Sequence, residues 1–419
     1  MVTDPALESA SELTRRDEIL DAAAAVFAES GVRTSLKEIA DACGILPGSL
    51  YHHFDSRDAI VAELIARYEA EIADLADAAS ERMRQPHAIP GRDDVIELAT
   101  TIASCAIRHR AALFLTMYDR PDNAGDRLVR AGILAPPPIV GAMLSTLRAA
   151  QAAGGLRSDV DVASLAERLC QSMLDLGAGM FHGSRGYGQM PNITTQLLLD
   201  GLTAAPVKIA VLDRSRAFKA AEQVIAAWKV EHTEGDDRGA VLRAAARSEF
   251  GRRGYEATTI RDIAAAAGVS TGSVYRLVGS KEELLVSVMQ SFAATVTESW
   301  SAVLESNATA VEKLDALMWV NINVLDRFTE EFRIQLGWVL ESPPAVDLGW
   351  SFKTRLREVK ALLKDGERAG EIRLPRASID VCAQCVLELI WVPENLVLAG
   401  TRSALAIGRD TLLRGAATR

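Results

Sequence analysis

The chain has 419 residues and a net charge of −10, and it is 49% hydrophobic but only 5% aromatic. Such a length predicts two or three domains, the alanine-rich, aromatic-poor mixture favours helices over strands, and the acidic balance excludes a uniformly basic nucleic-acid coat while leaving room for a local basic surface. No apolar run is long enough for a membrane helix, and the acidic start without a signal sequence and five scattered cysteines place the expected protein in the cytoplasm.

In chain order, residues 1–11 read as a flexible tail and residues 12–64 as a small helical module. Thr14 with Asp17 is an N-cap pattern, and Ile19, Ala22, Ala23, Val26 and Phe27 recur at helical spacing up to a stop at Gly31. Ser35 with Glu38 forms a capping box for a second helix through Ile39, Ala40 and Ala42. Gly44 supplies a tight turn. A third helix is expected from Pro47 to about His53, and Ser56 caps a fourth. Two short helices joined through a glycine turn and braced by a third make a helix-turn-helix, whose second helix lies in the major groove of DNA.

Residues 65–205 read as amphipathic helices interrupted by Pro136, Pro137 and Pro138. Residues 206–236 are expected to be a linker, helical over Asp213–Val230 and polar at Glu231–Asp237. The second module, 237–289, repeats the signals of the first: Thr259 pairs with Asp262, Gly268 turns, Ser270 caps the third helix, and Ser280 pairs with Glu283. A second helical region, 290–419, follows.

The repetition is detailed. Ala22, Ala23, Phe27 and Gly31 match Ala245, Ala246, Phe250 and Gly254 at an offset of 223. Past a one-residue gap, Thr34, Ile39, Ala40, Gly44, Gly48, Ser49, Tyr51 and Ser56 match Thr258, Ile263, Ala264, Gly268, Gly272, Ser273, Tyr275 and Ser280 at 224. Downstream, Leu147–Arg157 echoes Leu363–Arg373 at 216.

The two modules resemble the TetR/AcrR family of bacterial transcriptional regulators, in a tandem form. Most members carry one DNA-binding module per chain and pair two chains. The resemblance implies an all-α fold of two tandem halves, each a helix-turn-helix domain followed by a helical ligand-binding and dimerisation domain. It also implies that the last two helices of each half form a four-helix interface. The candidates are Val162–Gly179 with Ile193–Leu202, and Ser378–Leu389 with Thr401–Leu413. Both sets lie in one chain, so the halves pair as an internal pseudo-dimer or, alternatively, two chains pair as a homodimer. The chain departs from the family pattern at Leu46, where a capping Ser or Thr is usual, at Arg57 in place of Lys, and at Leu277 and Val278 in place of an aromatic pair.

The expected partner is a double-stranded DNA operator. In the first module the candidate contacts are Lys37, Pro47, Gly48, Ser49, Tyr51, His52 and Arg57. In the second they are Thr259, Arg261, Thr271, Gly272, Ser273, Tyr275, Arg276 and Lys281. Residues 12–60 carry nine acids against five bases, whereas residues 236–284 carry seven acids against eight bases. Phosphate neutralisation drives affinity, so the second module is expected to grip DNA harder.

All six tryptophans lie in the linker or the second half. Trp319, Trp338, Trp350 and Trp391, with Phe328 and Phe332, are candidate walls of a pocket for a small apolar or amphiphilic effector, the alternative being ordinary core packing. No enzyme is expected. Cys382 and Cys385 form a lone CxxC in an apolar stretch, none of the histidines has metal-ligand spacing, and the glycine-rich run Gly183–Gly188 follows a helix rather than a strand, so neither cofactor nor metal is expected. The function expected is an effector-controlled transcriptional regulator, usually a repressor in this family. The alternative is a helical ligand- or partner-binding protein that kept the fold and lost DNA recognition in one or both modules.

Overall fold

The computed structural model describes residues 5–30, 34–85, 91–116, 135–178, 184–228, 238–340 and 351–418. Among them there is no β-strand, and helices follow one another in two series. The first half comprises α1 (Pro5–Ser30), α2 (Leu36–Ala42), α3 (Pro47–Leu50), α4 (Arg57–Arg84), α5 (Arg92–Arg108), α6 (Arg110–Thr116), α7 (Pro137–Ala152), α8 (Val162–Ala178) and α9 (Met190–Asp200). Two helices, α10 (Ile209–Arg214) and α11 (Arg216–Ala227), lead to the second half. That half comprises α12 (Arg238–Arg253), α13 (Ile260–Ala266), α14 (Thr271–Val278), α15 (Lys281–Glu305), α16 (Ala310–Arg327), α17 (Thr329–Leu340), α18 (Phe352–Arg368), α19 (Ile379–Leu389), α20 (Glu394–Leu398) and α21 (Thr401–Gly408), closed by a π-helical turn at Arg409–Arg414.

Three boundaries differ from the sequence reading. The expected tail is helical from Pro5 onward, because Ala6, Leu7, Glu8 and Ala10 are good helix formers that simply extend α1. α4 and α15 run unbroken through the expected module borders at 64 and 289, so each small module is joined to its larger domain by a continuous helix. The expected linker, finally, is part of the second bundle. Ala217, Phe218, Ala221 and Ile225 recur along one face of α11 and are buried against α15 and α16. Phe218 stacks on Trp319 at 5.9 Å, and the Trp228 indole donates to the Ser299 hydroxyl at 3.0 Å. The polar joint Glu231–Asp237, Gly31, Trp350 and the prolines after Ser342 lie outside the described residues.

The halves meet through their last helices. α9 packs on α19 and on the π-helical turn. Two isolated antiparallel bridges, Leu156 with Ala417 and Thr203 with Ile372, are related by an exchange of halves. Leu156 and Ile372 are matching positions of the downstream echo, so the echo marks a paired contact: residue i of one half touches residue j of the other, and the reverse, as in an isologous interface. Backbone amides of Leu202 and Thr203 donate to the carbonyls of Leu412 and Leu413 at 2.8 and 3.0 Å. Those of Ala416 and Ala417 return the pattern to Leu198 and Leu199 at 3.1 and 2.7 Å. The fully buried Arg168 spans the seam, donating to the Leu389 carbonyl at 2.6 Å and the Thr411 hydroxyl at 2.5 Å. Burial, with no carboxylate partner among the described residues, lowers its guanidinium to about 9. Ile379–Leu398, apolar enough by composition to cross a membrane, is broken by Pro393 and mostly buried within the protein.

Candidate nucleic-acid interface

Each module builds its candidate reading helix from the same parts, and differences in capping set its length. In the first, Ile19, Leu20, Ala23 and Phe27 of α1 are fully buried against the short helices that follow. The Ser35 hydroxyl accepts from the Glu38 amide at 3.2 Å, and the Glu38 carboxylate accepts from the Ser35 amide at 2.6 Å, so the capping box is complete. Those bonds hold the Glu38 carboxyl below its ordinary value. Gly44 turns the chain at φ +65° and Gly268 repeats the turn at φ +66°.

The reading helices themselves differ. Leu46 offers no side chain to the start of α3, which closes after Leu50, leaving Tyr51, His52 and His53 in a turn rather than in the helix expected to reach His53. In the second module the Ser270 hydroxyl accepts from the Ser273 amide at 3.2 Å, and α14 extends over eight residues until Gly279 ends it at φ +78°. An N-cap of this kind stabilises a helix by about 1 kcal/mol, which accounts for the longer α14.

Both helices face solvent. Lys37, Gly48, Ser49, Tyr51 and His52 are exposed in the first module, as are Thr259, Arg261, Thr271, Gly272, Tyr275 and Arg276 in the second; Pro47 and Ser273 are half-buried. Tyr51 and Tyr275 are 55% and 57% exposed, so packing does not explain either ring. The Thr259 hydroxyl is committed to its cap, donating to Asp262 at 2.6 Å, and Ser273 shares a hydroxyl contact with Ser270 at 2.9 Å. Lys37 is paired with Asp41 at 3.0 Å. Arg261 and Arg276 have no ion pair among the described residues, so the second module presents two uncompensated guanidinium groups where the first presents a neutralised lysine.

Arg57 and Lys281 act as internal braces. The Arg57 guanidinium donates to the Thr34 carbonyl at 2.8 Å and lies over the Phe27 ring at 5.2 Å. The Lys281 ammonium lies over the Tyr255 ring at 4.1 Å. Both tie the start of the fourth helix to the segment after the first. This shared role accounts for the Arg-for-Lys departure, since either cation reaches the ring. Two side chains that the sequence reading treated only as departures stand open beside the reading helices: Leu46 is 77% and Leu277 44% exposed. Apolar groups so placed suit thymine methyls in the major groove.

Gly48 and Gly272 carry a sharper signal. A Cβ at Gly48 would meet nothing within 4 Å, one at Gly272 only the Ser270 hydroxyl at 4.0 Å, and neither residue has a positive φ. The protein itself therefore gives no reason for glycine, which costs a helix up to about 1 kcal/mol relative to alanine. A close external approach does. Gly272→Ala is expected to leave the free protein equally or slightly more stable in thermal unfolding while weakening duplex binding about tenfold, a loss of about 1.4 kcal/mol; retained affinity would remove this glycine from the interface.

The described members of the expected effector walls are each engaged in a ring contact. Trp319 and Phe328 face the α11 side, Phe328 meeting Trp228 edge-on at 5.4 Å. Phe332 and Trp391 pair separately at 4.7 Å. The Trp338 side chain and all of Trp350 lie outside the described residues. The amphipathic α11, where the sequence predicts a linker, is the reason two of the six, Trp319 and Phe328, are engaged in packing.

Comparison with known proteins agrees with the modular reading. The family model for bacterial regulatory proteins of the tetR family matches at residues 19–64 and again at 242–288. The HTH-type transcriptional repressor KstR2 of Rhodococcus jostii is 52% identical over 66 residues, which is 16% of this chain and 32% of that protein. The HTH-type transcriptional regulator UidR of Escherichia coli K12 is 32% identical over 110 residues, 26% of this chain and 53% of that protein. The chain thus spans between a third and a half of these relatives. Among solved structures, the ketosteroid transcriptional regulator KstR2 of Mycobacterium tuberculosis aligns with 46% of this chain and 100% of its own, at 24% identity and a TM-score of 0.38.

Proposed function

Because the chain carries two tetR-type helix-turn-helix modules in tandem, we propose that it is a sequence-specific DNA-binding transcriptional regulator, acting as a repressor, whose two modules read one operator. The observation that carries this reading is the pair of solvent-open reading helices, each with an exposed tyrosine and a glycine that nothing within the protein requires. Tyr51 and Tyr275 hold phosphate through their hydroxyls, and Gly48 and Gly272 let the backbone approach it. His52, Arg261 and Arg276 reach phosphates or base edges. The internal pairing of the halves presents two different helices, so the operator has unlike half-sites.

The effector is a small apolar or amphiphilic molecule held within a helical domain. Leu98, Ile102, Met143, Leu165, Leu169 and Met173, buried among α5, α7 and α8, give that interior an aliphatic character. Its binding reaches the DNA through α4 and α15, which cross from larger domain to module without a break, and so changes operator affinity by coupling. The test is a protection assay on the DNA beside the protein's own gene, followed by salt titration. We expect one footprint with an imperfect inverted repeat, and affinity falling at least about 100-fold between about 50 and 200 mM salt. A salt-insensitive or absent interaction would instead support a helical binding protein without DNA recognition.

A further inference from the structure

The first half holds a cluster that DNA reading leaves unused. Cys105 and His109 stand four residues apart at the end of α5, on one helical face, and Glu71 of α4 lies beside them. One ligand atom from each lies within 4.8 Å of the other two. Glu71 Oε2 is 2.7 Å from His109 Nε2, while Oε1 accepts from Arg108. Tyr68, one turn before Glu71, is only 5% exposed, and its ring lies 5.9 Å from that of His109. Its hydroxyl is buried with no hydrogen-bond partner among the described residues. An orphaned buried hydroxyl costs about 1–3 kcal/mol, a cost that a hydrogen-bonding group bound beside it would offset.

We propose that Glu71, Cys105 and His109 form a binding site for a divalent transition-metal ion of the zinc class, with the Tyr68 hydroxyl as hydrogen-bond partner to a water at the fourth position. Thiolate, imidazole and carboxylate together suit zinc, and the sulfur ligand disfavours calcium and magnesium. Binding releases the Cys105 thiol proton, and the proton held between His109 Nε2 and Glu71 Oε2 leaves Nε2 by tautomerisation to Nδ1, so that this hydrogen bond gives way to two metal bonds. Arg108 remains on the outer Glu71 oxygen, orienting the carboxylate from behind. Zinc ligands at roughly 2.0–2.3 Å stand about 3.3–3.8 Å apart in a tetrahedron, so no pair within the 4.8 Å cluster closes by more than about 1.5 Å, and Glu71 and His109, at 2.7 Å, open by about 0.6 Å or slightly more. Burial, with the Glu71 carboxylate beside it, pushes the Cys105 thiol up to about 12, which marks it as an inert thiol until a metal displaces the proton.

The position has a consequence. His109 is the C-cap of α5, and α6, which begins at the next residue, packs against α1 of the first DNA module. Ligation of His109 fixes the α5–α6 junction and so the support of α1. That consequence rests on the regulator reading above; metal binding itself does not.

The test uses the full-length, metal-stripped protein titrated with Co(II) in the absence of DNA, following the thiolate-to-cobalt charge-transfer absorption. One cobalt per chain, displaced by zinc, is expected, with the band abolished by Cys105→Ser and unchanged by Cys43→Ser. His109→Gln and Glu71→Gln, each checked for folding by circular dichroism, should weaken binding by at least about tenfold; they decide the matter if Cys105→Ser does not fold. Absence of the band, or its survival in folded Cys105→Ser, overturns the site, whereas failure of the footprint with an intact band overturns only the regulator reading.

Discussion

Gly415→Ala is expected to lower the unfolding free energy by about 3–5 kcal/mol, the upper range for a single substitution. Two terms act together. Gly415 sits at φ +84°, ψ 149°, a region open essentially to glycine alone and worth about 1–3 kcal/mol of strain in any other residue. In addition, a Cβ there would lie 2.3 Å from the Asp200 carbonyl carbon and 2.5 Å from the Gly201 nitrogen, backbone atoms that cannot swing aside. Gly201 mirrors it at φ +70°, with its own Cβ position 2.5 Å from the Arg414 carbonyl carbon. The two glycines cross where the halves meet, each requiring the other to lack a side chain. Gly370→Ala is the control. At φ +72° with nothing within 4 Å of the added carbon, it carries only the conformational penalty, about 1–2 kcal/mol. Urea unfolding with an unchanged m value measures both. If Gly415→Ala costs no more than Gly370→Ala, the halves do not cross there in solution.

That crossing was only half legible in the sequence. The tandem plan, the capping boxes and the glycine turns are local signals, each written within a few residues, and they appear in the structure at Ser35–Glu38, Thr259–Asp262, Gly44 and Gly268. The echo between Leu147–Arg157 and Leu363–Arg373 announced a repeat. Its meaning, Leu156 pairing with Ala417 and Ile372 with Thr203, needed tertiary contacts between positions more than 160 residues apart. The α11 helix shows a different limit. Its apolar period was visible, and the reading of a linker helix was right about the helix, but periodicity does not say which surface receives the apolar face. Phe218 finds Trp319, so one of the expected pocket walls is a partner of α11. A cation at the start of the fourth helix suits a phosphate contact by sequence, and its second engagement, with the rings of Phe27 and Tyr255, needed the tertiary structure to show. The Cys105–His109 spacing was present in the sequence, but its third member, Glu71, joins from another helix.

Arg276→Ala should weaken operator binding about 10- to 100-fold, an effect of about 1–3 kcal/mol, and His52→Ala should cost distinctly less. The ranking follows from geometry and charge together. Arg276 stands on a capped, eight-residue helix, exposed and without an ion pair among the described residues, so its five donors reach DNA without first breaking an internal contact. His52 lies just past a four-residue helix that lacks a side-chain cap. Its imidazole has two ring nitrogens to offer, against the five donors of a guanidinium fork. The surrounding charge pushes the same way. Arg15, Arg16, Lys37 and Arg67 in and beside the first module are each tied to a carboxylate, so their fields are already spent. Salt titration of the variants separates two roles for Arg276. A phosphate contact lowers the salt slope by about one unit and weakens all sequences alike, whereas a base contact leaves the slope and relaxes one operator position. A larger loss from His52→Ala than from Arg276→Ala would reverse the assignment and make the acidic first module the principal grip on DNA.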